Sequence, residues 1–288
     1  MGNDLSLSEY REFLSRIKAA DQGDERVIFA AMLASVIGKS FEETRKNLIF
    51  LSEKTPFFMS SSEKSRLLNM VFDFCEKKIP YQYLTGETNF YGREFFIDKN
   101  VLIPRNDTEI IVEKALSFLK EGNSVLDLCC GSGCIGITLA AESGAEVILV
   151  DFSLSALKTA EKNIEKFGLK SRCRTFFSDV MKDFPSGNYD LIVSNPPYVS
   201  EEEMKELSDY VLKEPSEALY GGEDGLDFYR VISEKYFSAL SPKGRLLFEC
   251  GACQAREVSH ILEVNGFSNI GTAVDTAGIE RIVWGCKV

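Results

Sequence analysis

The sequence predicts an α/β protein: a doubly wound parallel sheet, preceded by a small all-helical domain and a β-hairpin connector. Three observations carry this. From Ser124 onward short apolar runs alternate with stretches of helical period, the pattern of a sheet with helices on both faces. Before Pro80 the apolar residues recur at helical spacing behind S-x-x-E signals, which mark helix starts. Between them, aromatic and β-branched residues are broken by turn formers. The expected boundaries are 1–80, 81–105 and 106–288.

In residues 1–80, Ser6…Glu9, Ser40…Glu43 and Ser60…Glu63 have the form of capping boxes. Leu5 to Ile17, Val27 to Ile37 and Leu67 to Phe74 carry apolar faces at helical spacing. Pro80 closes this bundle, which reads either as a packing domain or as one that docks a partner. In 81–105, Phe90, Phe95, Phe96, Ile97, Val101 and Ile103, with turns at Gly92 and Asp98-Lys99-Asn100, read as a hairpin or two short strands. Asn106…Glu109 is a further cap, opening a helix through Leu119.

The strands of the sheet are expected at Ser124–Leu128, Glu146–Val150, Arg172–Phe177, Tyr189–Ser194 and Arg245–Glu249. Helices follow near 135–142, 153–167, 226–240 and 253–265, with Gly168 as a C-terminal stop. Ser268–Val274 and Ile279–Cys286 around Asp275-Thr276-Ala277-Gly278 close the chain as a hairpin at the sheet edge.

Charge and cysteine usage narrow the function. Of 33 Lys+Arg and 44 Asp+Glu, residues 1–80 hold 12 of each, leaving 21 bases against 32 acids in the rest. An acidic domain is a poor partner for a bare polyanion, so no direct nucleic-acid partner is expected. No apolar run approaches the roughly 20 residues of a membrane span, and no signal peptide is evident. The eight cysteines lie mostly inside apolar patterns, and Cys250-Gly251-Ala252-Cys253 has no second pair to complete a zinc site. The expectation is no metal, free thiols, a cytoplasmic location and a monomer.

Two loops carry the chemistry. Asn195-Pro196-Pro197-Tyr198 follows the fourth strand, where consecutive prolines end any ladder. It projects an amide, a phenol and free carbonyls from a strand's carboxyl end, the edge where ligands bind in open α/β sheets. After the first strand, Gly131-Ser132-Gly133-Cys134-Ile135-Gly136 matches G-x-G-x-x-G, and Asp151 ends the second strand. Taken alone this is a dinucleotide fingerprint. Asp127 argues against it, because a carboxylate before the loop would repel a diphosphate. It would suit the ammonium and sulfonium of S-adenosylmethionine, with Asp151 on the ribose hydroxyls.

The whole order resembles the class I methyltransferases. It is closely similar to the protein-(glutamine-N5) methyltransferases that modify peptide chain release factors. The similarity runs through Pro80-Tyr81-Gln82-Tyr83-Leu84-Thr85-Gly86 and Leu102-Ile103-Pro104-Arg105-Asn106-Asp107-Thr108-Glu109. It continues in the Asp127 loop, in Ser194–Val199, and in Glu214-Pro215…Gly221-Gly222-Glu223-Asp224-Gly225-Leu226-Asp227. The resemblance implies a seven-stranded Rossmann-like sheet, a substrate-docking role for 1–80, and release factors as partners. The cofactor would be S-adenosyl-L-methionine, leaving as S-adenosyl-L-homocysteine, with Asp127, Cys129, Cys130, Gly131, Ser132, Gly133, Asp151, Asp179, Val180 and Asn195 around it. Asp179 would meet the adenine amino group. Asn195 and the Pro196 carbonyl would accept the two N–H bonds of a glutamine amide, with Pro197 stiffening the turn and Tyr198 lying against the amide plane.

Pro104-Arg105 either covers the cofactor or simply leads into the next helix. The family usually has glycine and a small residue where this chain has Cys129 and Cys130; positive φ at 129 would cost roughly 1 kcal/mol. The only histidine, His260, reads as structural. A DNA amino-methyltransferase would share the Asn-Pro-Pro-Tyr logic but needs a basic recognition region, which 81–288 lacks. A non-catalytic S-adenosylmethionine-binding scaffold would not need Asn195 and Tyr198.

Overall fold

The protein is described as a computed structural model covering residues 4–20, 23–52, 54–183 and 187–288. It divides into two compact units, one reaching Gly86 and including Ser208–Lys213, the other formed by Glu87–Leu207 and Glu214–Val288.

The first unit contains helices α1 (Leu7–Ala20), α2 (Glu25–Ile37), α3 (Phe41–Ile49), α4 (Ser61–Lys77) and α5 (Tyr81–Thr85). Its centre is α2, buried at Ile28, Phe29, Ala30, Met32 and Leu33, because a helix apolar on nearly every side is stable only when surrounded. The Phe29 ring lies 5.1 Å from Tyr10 and 5.7 Å from Phe13. Capping chemistry sets the starts. Ser60 and Glu63 form the full reciprocal box, and Ser6 and Glu9 do the same. At Ser40 only half forms, since Glu43 turns to Lys39, 2.7 Å away.

Two details differ from expectation. Leu5 lies outside α1; its N–H and carbonyl pair with Phe57. Pro80 begins a helix instead of ending the unit: it precedes α5, whose Tyr81 and Leu84 pack on the helical core. Proline suits that position because its missing N–H has no helical partner there anyway. The far segment Ser208–Lys213 joins this unit through Tyr210, whose hydroxyl donates to the Phe74 carbonyl at 3.0 Å.

The second unit opens with a hairpin, β1 (Glu87–Phe90) and β2 (Arg93–Phe96). Its turn residues Tyr91 and Gly92 both have positive φ, as two-residue hairpin loops require. The hairpin is bound into this unit: the Asn163 amide accepts from Phe96 N and donates to Phe96 O, and Phe90 and Phe95 enter the core. The cap expected at Asn106 does not form. Asn106–Thr108 is a 3-10 turn, α6 runs Glu109–Leu116, and the Glu109 carboxylate accepts from Tyr91 N instead.

The main sheet has seven strands: β3 (Ser124–Leu128), β4 (Glu146–Asp151), β5 (Cys173–Phe177), β6 (Tyr189–Ser194), β7 (Leu240–Glu249), β8 (Ser268–Val274) and β9 (Glu280–Cys286). Their order is β5-β4-β3-β6-β7-β9-β8. The first five are parallel, and β9 inserts antiparallel between β7 and the edge strand β8. Side chains alternate between two cores, as a pleated strand dictates. Val125, Leu191, Val193 and Leu247 face α6, α7 (Cys134–Ser143) and α8 (Leu154–Lys166). Leu126, Leu128, Ile192 and Phe248 face α9 (Asp227–Tyr236) and α10 (Ala255–Val264). The chain winds outward from β3 to β5, then returns to place β6 on β3's other side. That reversal opens a crevice beyond the carboxyl ends of β3 and β6. Among the described residues no helix is long and apolar enough to cross a membrane.

Candidate active site

The two central strands end in register, Leu128 opposite Ser194, and the buried Ser194 hydroxyl donates to the Leu128 carbonyl at 2.8 Å. The loops that leave them open on a cavity of about 560 Å³, a size that holds a small molecule. Cys129, Gly131 and Asp151 line one side, Asp179 and Val180 a second, and Asn195 with Pro197 a third. Its remaining wall includes Val101, Leu102, Phe152 and Pro215–Ala218.

The loop after β3 turns through left-handed backbone, with φ of 57° at Cys129 and 53° at Gly131. Cys129 therefore occupies a conformation that strains a residue bearing a Cβ, at a cost of roughly 1 kcal/mol. Neighbouring side chains grip the loop. Asp151 accepts from Gly131 N at 2.9 Å with one oxygen and from Ser153 N at 2.9 Å with the other. Asn163 donates to the Ser132 carbonyl. Burial lifts the Asp151 carboxyl above its ordinary range. Each of its oxygens keeps a further lone pair, so the carboxylate can accept two more hydrogen bonds from the cavity it lines.

Asp127 lies elsewhere than the sequence suggested. It is the penultimate residue of β3 and shares Val125's face, so its side chain runs under α7 and not past the strand end. One oxygen accepts from Gly136 N at 2.8 Å, the other has no partner among the described residues, and burial drives the carboxyl up to about 7. Asp127 is absent from the cavity wall, as are Cys130, Ser132 and Gly133. These residues shape the loop from behind. Asp179 does reach the wall, but Lys182 pairs with it at 2.8 Å, and that hydrogen bond holds its carboxyl below the usual range.

The loop after β6 is held by close approach. A Cβ on Gly221 would come within 2.7 Å of the Pro197 carbonyl oxygen, and one on Gly225 would collide with the Tyr198 carbonyl. Gln254 donates to that same Tyr198 carbonyl at 3.0 Å. Tyr198 itself packs on the core of α9 and α10 and is not on the cavity wall; burial pushes its phenol up to about 12. Pro196 is buried and also off the wall.

Asn195, half-buried, is the member of this loop that carries a polar side chain on the cavity wall. Its Nδ2 lies 3.5 Å from the Thr108 hydroxyl, whereas its Oδ1 is buried and has no hydrogen-bond partner among the described residues. A buried amide oxygen left unpaired costs about 1–3 kcal/mol, so the site is short of one donor.

Three side chains were not assigned a role from sequence. Glu214, buried, accepts from Ile103 N at 2.9 Å and pairs with Arg105. This clamp fastens the segment before α6 to the loop after β6, so Arg105 serves the wall and does not itself cover the cavity. Phe152, half-exposed after Asp151, offers an apolar face to the cavity. Glu249, at the end of β7, is buried. The Glu214-Pro215 and Ile103-Pro104-Arg105 motifs were visible in sequence, but their pairing was not. Cys250 is buried and Cys253 exposed, both as free thiols, and His260 is exposed on α10.

Residues 107–225 match the Methyltransferase small domain family. The chain is 36% identical over 273 residues to the release factor glutamine methyltransferase of Clostridium botulinum, covering 93% of this chain and 94% of that protein. With the same enzyme from Geobacter sulfurreducens it shares 41% over 211 residues, covering 73% and 74%. In fold it is similar to a methyltransferase from Pyrococcus furiosus (TM-score 0.55, 17% identity, covering 79% of this chain and 99% of that one). It is also similar to the T. thermophilus 16S rRNA N2 G1207 methyltransferase solved with AdoMet and guanosine (TM-score 0.52, 20% identity, 70% and 50% covered). The likeness of these two structures concerns the fold alone. The relatives, the crevice and its unpaired amide oxygen together lead to one conclusion: this chain belongs to the release factor glutamine methyltransferases and is an S-adenosylmethionine-dependent enzyme.

Proposed function

We propose that this enzyme methylates the side-chain nitrogen, N5, of the glutamine in the Gly-Gly-Gln loop of peptide chain release factors. The observation that carries the reading is Asn195 on the cavity wall, its buried Oδ1 without a hydrogen-bond partner among the described residues. A primary amide brings two N–H donors, and Asn195 Oδ1 supplies one acceptor. The second would be the carbonyl of Pro196, which stands between the wall residues Asn195 and Pro197 although Pro196 itself does not line the wall. S-adenosylmethionine, when bound, supplies a methyl group already activated by its sulfonium.

What remains for the protein is orientation. An amide nitrogen is a poor nucleophile because its lone pair is delocalised, and two fixed acceptors hold it in one attitude toward the donor. They favour pyramidalisation as the new bond forms, a gain larger in the transition state than in the ground state. The nitrogen becomes acidic once alkylated, so acceptors serve it better than a strong base. Asp151 is the residue for the ribose hydroxyls, with Phe152 and Val180 flanking the base. The helical unit docks the release factor, and the reaction takes place in the cytoplasm.

The test is methyl transfer from labelled S-adenosylmethionine to a purified release factor. A Gln→Ala version of its Gly-Gly-Gln loop and duplex DNA run beside it. Label is expected on the intact factor alone. Equal labelling of the Gln→Ala factor, or labelling of DNA, would defeat the substrate claim.

A further inference from the structure

The loop between β6 and α9 belongs to both units. Its base lies in the second unit, where Val199 N donates to the Leu219 carbonyl at 2.8 Å and Gly221 N to the Val199 carbonyl at 2.9 Å. Its two limbs line the cavity, the outgoing one through Met204 and the returning one through residues 215–218. Its tip, Ser208–Lys213, is part of the helical unit. Part of the cavity wall is thus continuous in the chain with a segment that folds with other helices.

The two limbs are held differently. The returning limb is fixed at its start, where Glu214, 5% exposed, accepts from Ile103 N at 2.9 Å and pairs with Arg105. The outgoing limb has no such bond. Among the described residues, the hydrogen bonds of residues 202–209 all close within residues 200–212, as from Met204 N to the Ser200 carbonyl and from Leu212 N to the Ser208 carbonyl. Met204 therefore stands on the wall supported from the two ends of its limb, the base and the tip.

At the tip, Tyr210 packs on the helical core. Its ring centroid lies 4.9 Å from that of the buried Phe74, and Lys78 Nζ lies 5.5 Å over the ring. Its hydroxyl donates to the Phe74 carbonyl at 3.0 Å. That acceptor is one of the last carbonyls of α4, which have no intrahelical donor; the Lys78 N–H goes to the Asp73 carbonyl instead. The ring is seated on an apolar surface, and the hydroxyl meets an oxygen that the helix leaves open.

We infer that Tyr210 is a positioning residue for the cavity: it pins the loop tip and, through residues 200–209, holds Met204 in the wall around S-adenosylmethionine. The inference does not depend on which protein is methylated. A limb whose bonds all close on itself is ordered by what holds its ends. With the tip released, that ordering falls to the ligand, and binding is weakened by the entropy of the residues it must fix.

Two variants separate pinning from any effect on the helical unit. Tyr210→Ala removes both ring and hydroxyl. A Gly-Ser-Gly insertion after Leu207 leaves Tyr210 on Phe74 and slackens the limb. Each should weaken S-adenosylmethionine by about 5- to 30-fold in calorimetry. Each should also speed tryptic cleavage of the cofactor-free enzyme after Lys205, which is exposed on the limb, with added S-adenosylmethionine slowing it again. Tyr210→Phe keeps the ring on Phe74 and should stay within about threefold of wild-type affinity. Chemical denaturation checks folding, and the insertion stands as the probe if Tyr210→Ala fails to fold. Wild-type affinity in the insertion variant would overturn the inference, since a loss confined to Tyr210→Ala is then an effect on the helical unit. Wild-type cleavage after Lys205 in both variants would overturn it as well.

Discussion

The loops leaving β3 and β6 start from neighbouring strands in register and open on one cavity, yet they are built from opposite materials. After β3, Cys129, Gly131 and Gly133 all adopt positive φ, so the chain turns sharply and keeps its N–H groups. After β6, Pro196 and Pro197 have no N–H at all and a φ set by their rings. One loop carries donors, of which the Cys130, Gly131 and Gly133 N–H groups are taken within the protein, and the other carries acceptors. An amide with two N–H bonds is met by the second kind of edge. Their supports differ for the same reason. The β3 loop is gripped by side chains that bond its main chain, from Asp151 and Asn163, while Asp127 holds Gly136 N in the first turn of α7. The proline loop cannot be held through its own donors, so Gly221 and Gly225 bring a second loop against it and Gln254 takes the Tyr198 carbonyl.

Substitutions that separate the two loops test this contrast. The largest effect is expected at Asn195→Ala: kcat should fall by on the order of 10²–10³, while S-adenosylmethionine affinity changes much less. Comparable losses in both would erase the division between an acceptor loop and a donor loop. Next is Gly225→Ala, which adds a Cβ against the Tyr198 carbonyl at a φ of 75°. It should destabilise the fold by ~2–4 kcal/mol in chemical denaturation; wild-type stability would show that the proline loop does not depend on this approach. On the donor side, Asp151→Ala should weaken S-adenosylmethionine by ~1.5–3 kcal/mol in calorimetry, and unchanged affinity would remove Asp151 from the ribose site.

Asp127 sharpens the comparison by pH. Its folded carboxyl is raised from 3.8 to about 7, so between these values the folded protein holds a proton that the unfolded chain has lost. That penalty grows as pH rises through the interval and is complete above it. Asp127→Asn keeps an oxygen for Gly136 N and removes the charge. The cofactor-free variant should therefore be more stable than wild type by about 1–3 kcal/mol at pH 8, with the gain vanishing in acid. A gain independent of pH would rule out the buried charge as its source. The smallest effect is Cys129→Gly, which relieves positive φ and should add ~1 kcal/mol of stability. A loss there would mean the thiol contributes packing that outweighs the strain.

Much of this was legible along the chain. Serine and glutamate three apart set α1 and α4, short apolar runs between helical stretches set the sheet, and the prolines after Ser194 set the end of β6. Each of these is a local pattern, decided within a few residues by backbone sterics and capping. The Asn195 loop could be found the same way, because a strand that stops at two prolines at the carboxyl edge of a sheet is itself a local statement.

What the tertiary structure alone decided are pairings across long stretches of chain. Glu214 meets Ile103 across 111 residues and Asn195 meets Thr108 across 87. No periodicity marks such partners, which become neighbours only when strand order reverses between β3 and β6. The same holds for Asp127. Its place before a glycine loop suggested a ligand, but the face it occupies follows from strand parity and from where α7 packs. A carboxylate's neighbours decide whether it binds a ligand or braces a loop, and those neighbours exist only in the folded chain.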